Sequence, residues 1–425
     1  MKGKVMHKFV ELLHREVVPA QGCTEPIAVA YAVSIAAEQQ ESPAEHIELY
    51  LSGNIVKNAL GVGIPGTGRI GIDIAALLGA VLRRSDKKLE ILTGLTPEQL
   101  KQAEELLDQK ILQVNLKEDT TETLYIEAVV HAGGHTARCV VKKSHTNVVL
   151  IEKDGAVTFE KKEAASQEEE GHVELTVREI YEFATTAPFE EISFILEGAR
   201  MNKAVSEEGL RGHYGLQVGR ALAGGLGGLL EPSYGGAIAG AAAAASDARM
   251  DGCAMPIMTT AGSGNQGISC TVAAATLAEK LGKSEEELAR ALIISNLVTV
   301  HIKSYMGRLS PLCGAAIAGG TGSACAMVYL QGGGLDEIQR AIQIMLANHT
   351  GMICDGAKTT CALKIATGIN NALLSATLAM KGLCPCDKEG IVCQDVEDTI
   401  RSIGKLVSQG AANLDPTILD IMLHK

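Results

Sequence analysis

The sequence predicts an α+β N-terminal half with a mixed or antiparallel sheet, followed by an all-α helical domain rich in alanine and glycine. Segments with β-branched alternation are confined to the first half, whereas the second half shows Ala/Leu/Ile periodicity broken by glycine clusters. Aromatic residues make up only 3% of the chain, Trp is absent, and there are 46 glycines. Such a chain cannot fill its core with large rings, so its helices must pack closely through small side chains.

The first half is predicted to alternate helices and strands. Thr24 and Pro26 favour a helix start before the Ala-rich segment 27–39, and Thr96 with Pro97 favours a second start. Four segments with β-branched alternation predict an antiparallel meander, at 111–116, 124–131, 135–142 and 147–153. The other predicted elements are an N-terminal helix, a strand at 46–51, a glycine-dense loop at 52–68 and a helix at 72–82.

A charged, low-complexity segment separates the two predicted domains. Residues 1–160 form the α+β domain, which contributes Cys23 and a Ser-Gly-Asn loop. Residues 161–176 form a charged linker or loop, and 177–425 form the helical domain. We expect the helical domain to carry chemistry in the glycine-containing loops that join its helices.

Charge and hydropathy patterns exclude several classes of protein. The net charge is -12 and no basic stripe appears, so we expect no nucleic-acid partner. Charges interrupt the N-terminal segment every few residues, so it is not a signal peptide. The uncharged stretch 252–278 is rich in small polar residues and lacks an aromatic belt, which favours buried helices over a membrane span. Eleven cysteines without an export signal fit a reducing cytoplasm.

Three cysteines in Gly/Ala-rich surroundings look like an incomplete set of metal ligands. Cys354 and Cys361 bracket the segment C-D-G-A-K-T-T-C, and Cys313 lies upstream in S-P-L-C-G. Three thiolates can hold a 4Fe–4S cluster and leave one iron open for Lewis-acid chemistry. The spacing is not a ferredoxin or zinc-ribbon signature, and free cysteine is commonly a small buried hydrophobe. Both interpretations stay open at this point.

The remaining cysteines have different settings. A fourth cysteine, Cys23, lies in the polar segment Q-G-C-T-E-P, far away in sequence. The segment C-P-C-D-K-E-G-I-V-C contains a second group of cysteines, namely Cys384, Cys386 and Cys393. This group is either a zinc or redox site, or a loop whose thiols have no function. Those expected to be buried in the core are Cys139, Cys253, Cys270 and Cys325.

Two polar glycine segments could hold a small amino acid. S-G-N at 52–54 and S-G-N-Q-G at 263–267 each place a hydroxyl and an amide beside glycine, where backbone N–H groups can point at a carboxylate. Simple turn geometry is the competing interpretation. The run G-V-G-I-P-G-T-G lacks the strand-then-helix context of a dinucleotide site and the Lys-Ser/Thr pair of a phosphate loop.

Several motifs in one order resemble a known family. They are Q-G-C-T-E-P-I-A-V-A, S-G-N-I-V-K-N, V-G-I-P-G-T, G-S-G-N-Q-G-I, S-P-L-C-G and I-C-D-G-A-K-T-T-C-A-L-K. Together they are similar to the L-cysteine desulfidases, relatives of the α component of iron–sulfur L-serine dehydratases, from about residue 10 to 420. The resemblance implies a 4Fe–4S cluster and β-elimination of L-cysteine to pyruvate, ammonia and hydrogen sulfide.

The resemblance also implies roles for individual residues. Cys313, Cys354 and Cys361 would bind the cluster, and Cys23 would be the active-site cysteine, either capping the fourth iron or transferring protons. Because a helix N-terminus lowers the pKa of a thiol, Cys23 beside Glu25 is a candidate general base.

Polar residues around these cysteines complete the predicted site. The lysines that rival Cys23 as the base or bind the substrate carboxylate are Lys57, Lys303 and Lys358. The residues predicted to hold the carboxylate and ammonium of the amino acid are Ser52, Asn54, Asn265 and Gln266, with Lys57 as a further ligand.

Other functions remain open on the sequence alone. The chain is alternatively an iron–sulfur L-serine dehydratase, although those relatives space their last two ligands more widely and carry a different N-terminal half. A non-catalytic protein that binds amino acids or metal would use the same loops. A pyridoxal-phosphate lyase would need a Schiff-base lysine in a recognisable setting, and none is evident. We expect a small amino-acid substrate and a homodimer.

Overall fold

The computed structural model describes residues 7–161, 175–224 and 233–424. A first part with a mixed β-sheet and helices is followed by a helical region, which confirms the predicted fold class. The helices are α1 (Lys8–Glu16), α2 (Thr24–Glu38), α3 (Gly53–Ala59), α4 (Ile72–Leu82), α5 (Pro97–Asp108), α6 (Val177–Thr186), α7 (Phe189–Ile192), α8 (Ile195–Arg211), α9 (Val218–Ala223), α10 (Tyr234–Met250), α11 (Gly264–Lys280), α12 (Glu285–Met306), α13 (Gly320–Leu330), α14 (Leu335–His349), α15 (Cys361–Met380), α16 (Val396–Lys405) and α17 (Leu414–Leu423). The strands are β1 (Pro19–Gln21), β2 (His46–Leu51), β3 (Gly63–Ile64), β4 (Arg69–Ile70), β5 (Leu112–Leu116), β6 (Tyr125–Ala132), β7 (His135–Lys142), β8 (Val148–Lys153), β9 (Ala156–Glu160) and β10 (Pro256–Met258).

Six strands form the main sheet, in the order β5-β2-β6-β7-β8-β9. β2 pairs parallel with β5, and the other neighbours are antiparallel. The predicted meander is therefore right for β6, β7 and β8 but wrong for β5, which lies beyond β2 at the edge. A parallel pair needs a long crossover connection, and α3, α4 and α5 supply it. The prediction missed β9, whose residues are all exposed.

Small residues allow helices to pack closely in both parts of the chain. A Cβ on Gly79 of α4 would lie 2.2 Å from the carbonyl oxygen of Ala30 in α2. A Cβ on Gly209 of α8 would lie 2.0 Å from the carbonyl oxygen of Ala244 in α10. Only glycine fits at either contact, which confirms the close packing expected from the composition.

Several helices of the second part are buried on almost every side. α10 is buried from Ile238 to Met250, and α11 from Gly264 to Ala275. This surrounding protein explains the uncharged stretch 252–278. No helix in the described part of the chain is long and apolar enough to cross a membrane. The four cysteines predicted to lie in the core are buried, namely Cys139, Cys253, Cys270 and Cys325.

Both Ser-Gly-Asn segments begin helices, so the prediction that they lie in loops is wrong. Ser52 is the N-cap of α3 and Ser263 is the N-cap of α11. The remainder of the predicted loop 52–68 contributes to the small hairpin of β3 and β4. α3 was missed because it has only seven residues, and a helix this short depends on tertiary packing for its stability.

Several elements cross between the two parts of the chain. β1 pairs antiparallel with β10, and α17 packs against α3. The apolar side of α1 belongs to the core of the helical region. The predicted division into domains stays a prediction, and most of the predicted linker 161–176 lies outside the described residues.

Candidate active site

Three helices begin at one cavity of about 120 Å³. Cys23 is the N-cap of α2, Ser263 is the N-cap of α11, and Cys361 is the first residue of α15. Helix N-termini present unpaired N–H groups and partial positive charge. The cavity is lined by seven of the predicted site residues, namely Cys23, Asn265, Gln266, Lys303, Cys313, Cys354 and Cys361.

Backbone hydrogen bonds between two loops position two of the predicted iron ligands. The Cys313 N–H donates to the Met352 carbonyl, and the Cys354 N–H donates to the Pro311 carbonyl, each at 2.8 Å. Cys361 is placed separately, by its position at the start of α15. The thiols therefore reach the cavity from two loops and one helix start, a convergence that spacing in sequence does not reveal.

Burial makes two of these thiols, Cys313 and Cys361, poor acids in the arrangement described. It raises the pKa of the Cys313 thiol to about 12, and the charges of Cys354 and Cys361 add to the rise. Burial also raises the pKa of the Cys361 thiol. A bound metal cation reverses this tendency, because a coordinating thiol loses its proton. A positively charged occupant would therefore stabilise the thiolate form of these side chains.

Cys23 is paired with a carboxylate inside the cavity wall. Its Sγ donates a hydrogen bond to Oε2 of Glu25 at 3.1 Å. Burial raises the pKa of the Cys23 thiol well above its usual range, and the charge of Glu25 raises it further. The expectation that the helix start lowers this pKa is wrong, because burial outweighs the helix dipole. Cys23 therefore keeps its proton, and only a base stronger than an ordinary thiolate would take it.

Lys303 reaches the cavity from the last turn of α12 and is only 6% exposed. Burial lowers the pKa of its ammonium group to about 8, although Cys354 and Cys313 oppose the fall. Its Nζ donates to the Arg308 carbonyl at 3.2 Å. Among the residues that the structure describes, no carboxylate lies within ion-pair distance of it. A lysine of this kind can give up its proton near neutral pH.

Gln266 lies in the first turn of α11 and turns its side-chain oxygen toward the cysteine loop. Its Nε2 donates to the Thr260 carbonyl at 2.8 Å. A Cβ on Gly314 would lie 2.1 Å from Oε1 of Gln266, so glycine immediately after Cys313 leaves room for this side chain to lie against the cysteine loop. The close approach places an amide oxygen, which accepts hydrogen bonds, beside the thiols.

Arg249 at the end of α10 is a cavity residue that the sequence analysis missed. It is 4% exposed; Nη1 donates to Oδ1 of Asn265 at 3.1 Å and Nη2 to the Gly22 carbonyl at 3.0 Å. Its Nε is buried without a partner, and no carboxylate pairs with it within the described ranges. The sequence did contain a signal for this residue, because Arg249 follows the alanine-rich run A-A-A-A-A-S-D-A. Such a run indicates a buried helix, and a buried helix rarely carries an arginine.

Three predicted substrate ligands lie outside this cavity, namely Ser52, Asn54 and Lys57. Lys57 is 2% exposed, and its Nζ lies 2.5 Å from Oδ1 of Asp415 in α17. The same Nζ donates to the Cys354 carbonyl at 3.2 Å, and Asn54 donates to Oδ2 of Asp415 at 3.2 Å. These contacts link α17 to the loop of a predicted iron ligand. Substrate binding by these side chains stays a prediction.

The other predicted groups do not line the cavity. Lys358 instead pairs with Asp355, with Nζ 2.7 Å from Oδ1. The thiols of the second cysteine group are exposed or half-buried, namely Cys384, Cys386 and Cys393. Lys358 therefore has a local partner that stabilises the turn before α15, and its catalytic role stays a prediction.

A family model described as serine dehydratase alpha chain matches residues 86–420. The chain belongs to this family. It is 52% identical to the UPF0597 protein of Clostridium perfringens strain SM101 over 98% of each chain. It is 47% identical to a UPF0597 protein of Bacteroides fragilis over 98% of each chain, and 42% identical to that of Porphyromonas gingivalis strain W83 over 100% of each. Membership of the serine dehydratase alpha chain family supports a dehydratase-like lyase function.

The donor set suits the iron–sulfur chemistry associated with serine dehydratase alpha chains. Across the described ranges, no group of three or more His, Cys, Asp or Glu side chains could hold a single metal ion. In an iron–sulfur cluster each thiolate binds a different iron, so the sulfurs need not converge on one point. Three thiols around one cavity therefore fit a cluster better than they fit a zinc ion.

Proposed function

We propose that this protein is an iron–sulfur-dependent lyase that converts L-cysteine and water to pyruvate, ammonia and hydrogen sulfide. The observation that carries the proposal is the meeting of Cys313, Cys354 and Cys361 at a cavity that also contains Cys23 and Lys303. Membership of the serine dehydratase alpha chain family supports elimination chemistry. The order of the sequence motifs supports cysteine as the substrate.

The three cysteines would hold a 4Fe–4S cluster. When bound, it would supply an iron with an open coordination position, a Lewis acid that polarises the bond to the leaving group. Gln266 would accept a hydrogen bond from the substrate ammonium through Oε1, since its Nε2 already donates to Thr260. Asn265 would act indirectly, because its Oδ1 accepts from Arg249.

The proton transfers can be assigned to two cavity residues. Lys303, with its lowered pKa, would remove the α-proton, and that electron pair would form the bond between Cα and Cβ. The carbon–sulfur bond would break, and the sulfur of the substrate thiolate would leave with the bonding electrons as sulfide, a base strong enough to take a proton from Cys23. Glu25 would help to return a proton to Cys23, because the two side chains are hydrogen-bonded. Water then hydrolyses the released enamine to pyruvate and ammonia.

L-serine is the second candidate substrate. The description of the matching family, serine dehydratase alpha chain, favours it. Elimination from L-serine would use the same residues and release water in place of hydrogen sulfide. An anaerobic assay that compares sulfide release from L-cysteine with pyruvate formation from L-serine separates the two substrates.

Anaerobic reconstitution tests the ligand assignment. We expect roughly four iron atoms per chain and turnover that depends on them. Cys354→Ala and Cys361→Ala should lose both, whereas Cys384→Ala and Cys386→Ala, which remove exposed thiols outside the cavity, should keep both. Full iron content and activity in the first pair would refute the ligand assignment. Tight amino-acid binding without turnover in the iron-replete protein would indicate a non-catalytic binding protein.

A further inference from the structure

We propose that Arg249 binds the α-carboxylate of the substrate and thereby restricts the site to amino acids with a free carboxylate group. The inference rests on the lyase function proposed above and adds a residue and a substrate requirement to it. Arg249 lines the same cavity as Cys23, Lys303 and the predicted cluster ligands.

The first argument is the unbalanced charge of Arg249. The side chain is 4% exposed, and the groups that accept its two main hydrogen bonds, the Asn265 amide and the Gly22 carbonyl, are neutral. Buried charges are normally paired, because burial removes the hydration that stabilises them. The Glu25 carboxylate lines the same cavity, but it accepts hydrogen bonds from Cys23, Thr24 and Asn58 and forms no described ion pair with Arg249. An anionic ligand in the cavity would complete the pair.

The second argument is the direction of the surrounding helices. α2, α11 and α15 all begin at the cavity, so their partial positive ends point toward it. Arg249 bonds to Asn265 in the first turn of α11 and to Gly22 just before the start of α2. The guanidinium group is therefore fixed between two helix N-termini, an arrangement that favours a carboxylate.

The third argument is the space left for the guanidinium group. A Cβ on Gly264 would lie 2.4 Å from Nε of Arg249 and 2.5 Å from Cδ1 of Ile257. Glycine at this position lets the arginine lie directly against α11. Sequence, packing and hydrogen bonding thus combine to hold one cation at the wall of the cavity.

A different anion could explain the same arginine, because a thiolate-bound iron–sulfur cluster is negatively charged. The two explanations predict different losses. A carboxylate ligand predicts that Arg249→Gln keeps its iron and loses substrate affinity. A counter-charge for the cluster predicts that Arg249→Gln loses iron and that the remaining loaded protein binds substrate normally.

The first test needs no variant: the affinity of the reconstituted wild-type protein is measured as KM from sulfide release where a compound is turned over, and by calorimetric titration where it is not. L-cysteine and L-cysteine methyl ester share the thiol and the amine, but the ester lacks the anionic carboxylate. We expect L-cysteine to bind about 10- to 100-fold more tightly than the ester, as for a charged hydrogen-bonded pair. Equal affinity for the two compounds would overturn the proposal.

Variants then assign the preference to this arginine. Arg249→Gln should bind L-cysteine about as weakly as the ester, and Arg249→Lys should recover part of the preference. Arg84→Gln is the matched control, because Arg84 also has a buried, unpartnered nitrogen but does not line the cavity. Iron content and thermal melting accompany each titration. An unchanged preference in Arg249→Gln, or loss of iron with normal binding, would overturn the assignment.

The outcomes separate this inference from the proposed lyase function. If iron-replete wild-type protein prefers L-cysteine over its ester but releases no sulfide, the lyase proposal fails and the carboxylate site stands. If sulfide is released while the ester binds equally well, the lyase proposal stands and the role of Arg249 fails.

Discussion

The same tripeptide, Ser-Gly-Asn, occurs at two helix starts with different surroundings. At α3, the hydroxyl of Ser52 donates to the Thr123 carbonyl and accepts from the Tyr125 N–H, which ties it to the chain entering β6. At α11, Ser263 instead caps its own helix, and its hydroxyl accepts from the Gln266 N–H. The first serine joins two segments of the fold, whereas the second shapes the wall of the cavity.

The asparagines and their neighbouring lysines differ in the same way. Asn54 and Lys57 both bond to Asp415, so the buried ammonium near α3 has a carboxylate partner. Asn265 bonds to Arg249, and Lys303 has only a carbonyl partner among the bonds described. The two identical tripeptides therefore have different roles. Near α3 the surrounding groups neutralise the buried ammonium of Lys57, whereas near α11 they leave the cations without a carboxylate partner and available for a ligand.

Removing each lysine should have the largest effect and tests this comparison directly. We expect Lys303→Met to lower kcat by about 10²- to 10⁴-fold, as for loss of a general base, with little change in melting temperature. Lys57→Met should destabilise the fold by about 3 kcal/mol, because it leaves the partly buried Asp415 unpaired. Turnover and thermal melting of iron-replete protein measure both. If Lys57→Met folds normally but loses turnover, Lys57 is the base instead.

Replacing the glycine of each Ser-Gly-Asn segment by alanine should produce the next largest difference between the two regions. In Gly264→Ala the new Cβ would meet Nε of Arg249 at 2.4 Å, so the arginine must move. In Gly53→Ala the closest contact is Cδ2 of Leu419 at 3.0 Å, and that flexible side chain can adjust. We expect KM for L-cysteine to rise at least about tenfold in the first variant only. Equal KM values in the two alanine variants would contradict the difference between the two regions.

The two asparagines should give a smaller contrast. Asn265→Ala removes the acceptor of Arg249, so we expect KM to rise by about five- to tenfold through loss of one hydrogen bond. Asn54→Ala should leave KM unchanged and lower the melting temperature, because Asp415 loses a donor. Steady-state kinetics and melting curves provide the measurements. A similar rise of KM in Asn54→Ala would support the sequence prediction that Asn54 binds substrate.

The smallest expected effect is a change in stability with pH that arises from Asp247 in α10, the helix that carries Arg249. Asp247 accepts from the Gly219 N–H, and burial raises its pKa to about 6, above the value of about 4 in unfolded chains. The folded protein therefore binds more protons between these values, and stability falls as pH rises through the window. We expect Asp247→Asn to raise the melting temperature by on the order of 1–2 °C at pH 8 and less at pH 5. An equal rise in melting temperature at pH 5 and pH 8 would exclude ionisation of Asp247 as the cause.

Local signals in the sequence predicted much of the fold. The predicted start at Thr96 and Pro97 is confirmed by a capping box, in which the Thr96 side chain accepts from the Gln99 N–H. The helix at 72–82 and the strands at 46–51 and 135–142 have the predicted bounds. These elements are encoded by side-chain periodicity and end signals within the segment, so no distant contact is needed to recognise them.

Elements that depend on distant partners were not predicted. The parallel position of β5 depends on a crossover through three helices, and α3 depends on its packing against α17. The low acidity of Cys23 depends on burial and on Glu25, which together outweigh the effect of the helix start. Each of these properties arises from neighbours that are remote in sequence or from the depth of the site.

The amino-acid sequence was sufficient to predict a thiol-based site and to associate Cys313, Cys354 and Cys361 with one another. It could not distinguish the two Ser-Gly-Asn segments, because their local chemistry is the same. Folding places one of them beside the carboxylate of Asp415 and the other beside the unpaired charge of Arg249. The charge balance at a buried site depends on groups that are remote in sequence and meet only in the folded protein. This balance is what distinguishes the cavity around Arg249, where the charge has no carboxylate partner, from the contact at Asp415, where it has one.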